Sequence, residues 1–184
     1  ADGAPRALPG TVPRLPPDLR GLRVLLAEDN EINREIAVEL LTDAGLLVDC
    51  AADGQIACAM VAEHGDSYAA VLMDVQMPSL DGIAATREIR RSRGADRLPI
   101  IAMTAHAYDA ERQRCLAAGM NDHMSKPVDP AHLVRMLTRW LRAVPHVAPT
   151  PVGAPRLPVT ASLPTDLPPF DLPAALHRVN GNAA

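Results

Sequence analysis

Three carboxylates, a hydroxyl and an ammonium stand at the same kind of place along this chain. Asp74 follows the apolar run Val71-Leu72-Met73 and precedes the turn of VLMDVQMPSLDG; Glu28 and Asp29 follow RVLLA; Thr104 closes LPIIAMT; Lys126, before Pro127, closes DHMSK. Carboxylates gathered in one cleft repel one another unless a hard cation sits between them, and Mg²⁺ takes a few oxygens while keeping its waters. An ammonium and a bound divalent ion neutralise the oxygens of a phosphoryl group in transfer, and a hydroxyl donates to another of them. Within such a set Asp74 is the nucleophile, and an aspartyl phosphate is the covalent product.

The elements that must bring these groups together are legible from Arg23 onward. Apolar runs at Arg23–Ala27, Leu46–Ala51, Ala69–Met73, Leu98–Thr104 and Asp122–Lys126 predict five strands. They alternate with helical patterns at Asn33–Gly45, Gly54–His64, Gly82–Arg93, Asp109–Gly119 and Pro130–Arg142, with Gly45, Gly65, Gly94 and Gly119 as stops. The first of these helices shows Ile36, Leu40, Leu41 and Ala44 at helical spacing. Strict alternation argues for an α/β fold with a parallel sheet covered on both faces. In such a sheet the C-terminal ends of the strands share one edge, where ligands bind, so the five groups converge.

Composition sets the boundaries. Five of the 18 prolines lie in residues 1–20 and nine lie beyond 142, leaving four in residues 21–142. The expected organisation is a Pro-rich N-terminal linker (1–20), a domain (21–142) and a second Pro-rich linker (143–169). A net charge of −4 gives no reason to expect a nucleic-acid partner. The cysteines, Cys50, Cys58 and Cys115, fit neither a disulfide scaffold nor a zinc site and read as small core or subsurface residues in a reducing cytoplasm. No apolar run is long enough to span a membrane, so no membrane contact is expected of this piece, and the missing initiator Met suggests a fragment, possible anchors lying elsewhere.

The segments LLAEDNEINRE, VLMDVQMPSLDG, IIAMTAHA and GMNDHMSKP resemble the receiver domain of two-component response regulators, most closely receivers embedded in hybrid sensor histidine kinases. The resemblance covers about Leu22 to Leu141. It implies a flavodoxin-like doubly wound sheet of order 2-1-3-4-5 flanked by five helices. It also implies a phosphoryl group taken from the phosphohistidine of a kinase dimerisation domain onto Asp74 and passed to a histidine phosphotransfer domain. Residue by residue, it implies Mg²⁺ bound by Asp29, Asp74 and the backbone carbonyl of Gln76, with Glu28 acting through water. Thr104 and Lys126 would contact the phosphoryl group, with the backbone amides of Val75 and Ala105, and the Lys126–Pro127 bond would be cis. No further cofactor is implied. Gln76 and His106 match positions where such receivers vary their dephosphorylation rate. His123 stands where the family usually has Tyr or Phe, the aromatic partner of the Thr104 switch; an imidazole buries less area and can carry a proton.

Each residue also has a plainer reading. Asp29 or Asn30 caps the helix that follows, Asp74 is a turn residue, and Thr104 is ordinary in a strand. Their joint occurrence at successive strand ends is what favours chemistry. An aspartyl-intermediate phosphatase would need a carboxylate two residues after the nucleophile, where Gln76 stands. A pure docking module would be favoured by loss of Asp74, Lys126 or the acids, and all are present. A DNA-binding regulator is not expected, the given residues after Arg142 being too Pro-rich and too few for a DNA-binding domain. Catalysis by this piece is confined to its own phosphorylation and dephosphorylation. Beyond the linker, FDLPAALHRVNGN (Phe170–Asn182) resembles the opening of a histidine phosphotransfer domain within residues 170–184, and His177 is not its phosphorylatable histidine.

Overall fold

The computed structural model describes residues 13–105 and 109–144. The chain divides after Thr150 into two units, and every described residue falls in the first. His106, the linker from residue 145 and the expected phosphotransfer opening at 170–184 lie outside the described residues.

Among the described residues five strands alternate with five α-helices: β1 (Arg23–Ala27), α1 (Glu31–Asp43), β2 (Leu47–Ala51), α2 (Gly54–His64), β3 (Ala70–Asp74), α3 (Gly82–Arg90), β4 (Ile100–Thr104), α4 (Asp109–Ala117), β5 (Asp122–Ser125) and α5 (Pro130–Ala143). All neighbouring strands pair in parallel, in the order β2-β1-β3-β4-β5 that the resemblance implies. The central strands read as unbroken apolar runs because both sheet faces are covered. Val24 and Leu26 of β1 join α1 and α5 in one core, whereas Leu25 and Ala27 join α2, α3 and α4 in the other. Among the described residues, no helix is long and apolar enough to cross a membrane.

Side-chain caps start the helices. Asn30, Asp53, Asp81 and Asp129 each accept a backbone N–H three residues on, opening α1, α2, α3 and α5. The buried stripe of α1 runs through Ala37, Leu41 and Ala44; Ile36, one position off the stripe, is 52 % exposed, and Ile32 is 68 % exposed. Gly45 and Gly119 take the left-handed conformation expected of stops, with φ of 103° and 99°. Gly65 also closes α2 as expected, but with φ −58° and as the start of a 3-10 turn. Helix α3 ends at Arg90, before Gly94, because Arg91, Ser92 and Arg93 turn back onto the Glu88 and Ile89 carbonyls.

Arg90 explains that early end. Its guanidinium donates to the Gly119 carbonyl at 2.8 Å, the Leu98 carbonyl at 2.9 Å and Asn121 Oδ1 at 2.8 Å, tying α3 to the turns before β4 and β5. Burial pulls its pKa down to about 10. Residues ahead of Gly21 also pack against the described unit. Leu15 and Leu19 are 0 % and 4 % exposed and share a core with Leu137 and Leu141 of α5. The Leu15 N–H donates to the Ala44 carbonyl at 3.0 Å, and Arg20 Nε to the Leu15 carbonyl at 2.8 Å. Among the described residues the packing thus includes this strap, whose two core leucines flank Pro16 and Pro17.

Candidate functional site

Parallel pairing delivers the strand ends to one rim, and burial there is uneven. Asp74, the last residue of β3, is 5 % exposed; Glu28, just past β1, is 1 % exposed; Asp29 beside it faces solvent. Lys126 follows β5, its backbone N–H donating to the Thr104 carbonyl at 2.8 Å. That bond aims its side chain across the sheet, where Nζ lies 2.5 Å from Glu28 Oε2 and 2.6 Å from Asp74 Oδ2. Carboxylate oxygens of Glu28, Asp29 and Asp74 lie within 4.8 Å of one another. Because Asn30 caps α1, Asp29 is left to this cluster. The Lys126–Pro127 bond is cis.

Burial pushes the Asp74 carboxyl above its ordinary pKa, an effect that Glu28 reinforces, while the Lys126 ammonium and the Gln76 N–H pull the other way. For Lys126 burial works against the charge, but hydrogen bonds to Asp74 and Glu28 outweigh it and raise the pKa. The ammonium is thus held charged between two acids. The Gln76 N–H donates to Asp74 Oδ1 at 3.1 Å, whereas the Val75 N–H, expected at the site, goes to the Met103 carbonyl at 3.0 Å as a continuation of the sheet ladder. A Cβ on Gly82 would collide with the Asp74 carbonyl, so the turn can close under the site only with glycine there.

Two supporting residues gave no usable signal in the sequence. Asn33 Nδ2 donates to Glu28 Oε1 at 3.2 Å, and Arg34 donates to the Glu28 carbonyl at 3.1 Å. Both lie on the first turns of α1, which swings them back over β1. A third is Glu111 of α4. Thr104, 3 % exposed, donates its hydroxyl to Glu111 Oε2 at 2.8 Å. His123 pairs in register with Ala102 on β5 and is half-buried. Its Nδ1 has no hydrogen-bond partner among the described residues and lies 3.8 Å from Asp122 Oδ1. Cys115 is buried, Cys58 partly so, and Cys50, expected beneath the surface, is exposed on the edge strand.

A buried carboxylate at the β3 terminus, beside two further acids and a bridging lysine, thus sits on the rim of a parallel α/β sheet of order 2-1-3-4-5. The family model for the response regulator receiver domain matches residues 24–138, and the chain belongs to that family. Among curated relatives, the osmosensing histidine protein kinase SLN1 of Saccharomyces cerevisiae is 39 % identical over 126 residues, covering 66 % of this chain and 10 % of its own length. The sensor protein GacS of Pseudomonas syringae is 37 % identical over 140 residues, covering 74 % of this chain and 15 % of its own length. The chain thus spans a small part of these relatives. Among solved structures, the receiver domain of the sensor histidine kinase PA1611 from Pseudomonas aeruginosa, with a magnesium ion coordinated in its active-site cleft, is 45 % identical. Its TM-score is 0.60, covering 66 % of this chain and 98 % of that one. The receiver domain of Ssk1, crystallised with the histidine phosphotransfer protein Ypd1 of Saccharomyces cerevisiae, is 30 % identical with a TM-score of 0.60, covering 68 % and 93 %.

Proposed function

We propose that this receiver takes a phosphoryl group from the phosphohistidine of a kinase dimerisation domain onto Asp74 and passes it to the histidine of a phosphotransfer domain, as one station of a hybrid-kinase phosphorelay in the cytoplasm. The observation that carries the reading is the Lys126 ammonium shared between buried Asp74 and Glu28, with Asp29 completing an all-oxygen donor set. Such a set fits a hard divalent cation, and Asp29, Asp74 and the Gln76 carbonyl would hold Mg²⁺, with Glu28 acting through water. When bound, the ion would neutralise charge on the transferring phosphoryl oxygens. An Asp74 oxygen attacks phosphorus, the P–N bond breaks with its electron pair returning to the imidazole, and a P–O bond forms. Lys126 pairs with a phosphoryl oxygen, the Gln76 N–H, already on Asp74 Oδ1, donates to another, and the Thr104 hydroxyl would join them on leaving Glu111. His123 is the counterpart of the aromatic switch residue. The relay in the reverse sense, onto a second histidine, uses the same groups.

A surface on which a histidine-bearing partner could dock is supported by Ile32 and Ile36, exposed one helical turn apart on α1. A reducing compartment is supported by the three unpaired thiols. The test is intact-mass analysis after incubation with Mg²⁺ and a small phosphodonor. One added phosphoryl group that requires Mg²⁺ and is lost in Asp74→Ala is expected. No adduct, together with no beryllofluoride complex, would sink the reading.

A further inference from the structure

The Thr104 hydroxyl has one proton to donate, and in this structure it goes to Glu111 Oε2 at 2.8 Å. That proton is the one an occupied Asp74 requires, because a phosphoryl oxygen and the Glu111 carboxylate are both acceptors and cannot share it at full strength. Glu111 lies in the first turn of α4 and is half-buried. A hydrogen bond to an ionised acceptor is stronger than a neutral one, so the competition is between two charged acceptors for one hydroxyl proton.

Resting on the reading of Asp74 as phosphoacceptor, we propose that Glu111 is a positioning residue of the site: it holds the Thr104 hydroxyl away from Asp74 in the empty state and yields it when the site is filled. Glu111 thereby sets the affinity of the site for a phosphoryl group, and the same exchange frees the first turn of α4 from β4. A purely structural role is the rival explanation, since a carboxylate near a helix start complements the helix dipole. That role does not pass through Thr104, and the difference is measurable.

The experiment is a beryllofluoride titration at saturating Mg²⁺ of the full chain, of Glu111→Gln, Glu111→Ala and Thr104→Ala, and of the Thr104→Ala/Glu111→Ala double variant. Glu111→Ala is expected to bind roughly three- to tenfold more tightly than the unmodified chain. Glu111→Gln, which keeps a neutral acceptor, falls between them. In the Thr104→Ala background the second substitution changes affinity by less than about twofold. An unchanged or weakened affinity for both Glu111 variants overturns the proposal, as does an equal gain with and without Thr104. If Glu111→Ala does not fold, Glu111→Gln alone decides by the same comparison. If the unmodified chain binds no beryllofluoride and takes no phosphoryl group, the phosphoacceptor reading fails first and the proposal with it.

Discussion

With Nζ at 2.5 Å from Glu28 and 2.6 Å from Asp74, one ammonium offsets two carboxylates that are almost fully buried. Removing it leaves like charges facing each other out of water. Lys126→Ala is expected to lose about 3 kcal/mol of stability in the presence of a chelator. Mg²⁺, drawn to the same acids, should recover part of that loss, so urea midpoints with and without the ion should differ more for the variant than for the unmodified chain. Equal increments would mean that ion and lysine do not share these acids. The acids, Thr104 and Lys126 were readable in the sequence because each closes a strand and parallel topology fixes where strand ends go. Asn33 and Glu111 were not, since each sits on a helix. Glu111 lies seven positions past Thr104, and its meeting with the hydroxyl depends on how α4 returns onto the sheet.

The strap at Leu15 shows the limit of composition as a guide to elements. Prolines at 13, 16 and 17 gave residues 1–20 the look of a linker, yet Leu15 and Leu19 sit four apart and fill the core beside α5. Two leucines are too few for periodicity to register. Leu15→Ala is expected to cost about 2–4 kcal/mol, read as a lowered urea midpoint at unchanged slope. A cost near zero would show the strap to be dispensable. Regular elements were far more legible than their ends: α2 runs over the predicted residues, while α3 stops short of Gly94 because Arg90 draws the chain into a turn. Aspartates announced the helix starts, because a cap is a local interaction that sequence spacing encodes. The order of the strands was legible only through the family resemblance.

For the molecule as a whole, alkaline stability should hinge partly on a cluster at the sheet edge. Tyr68 donates its phenol to Asp49 Oδ2 at 3.0 Å, and Arg23 pairs with the same carboxylate at 2.9 Å. Burial first, and then Asp49, push the Tyr68 pKa up to about 12. An unfolded tyrosine gives up its proton near pH 10, so between about pH 10 and 12 the folded form binds more protons than the unfolded one. The contribution is complete below pH ~10 and is lost as pH climbs toward ~12. Urea midpoints at pH ~9 and ~11.5 should therefore fall further for the unmodified chain than for Tyr68→Phe; parallel falls would remove Tyr68 from the account. Arg90 has a different consequence. By gripping the Gly119 carbonyl it moors the far end of α4 at a residue whose φ is 99°, while the near end is fastened to Thr104 through Glu111. From Glu111 to Gly119 the helix rises about 12 Å, so a swing of roughly 5° about that mooring moves the near end by about 1 Å. One ångström is enough to break a 2.8 Å hydrogen bond. On the proposed exchange, the helix would work as a pointer, turning occupation of Asp74 into an angle displayed on the outside of the domain.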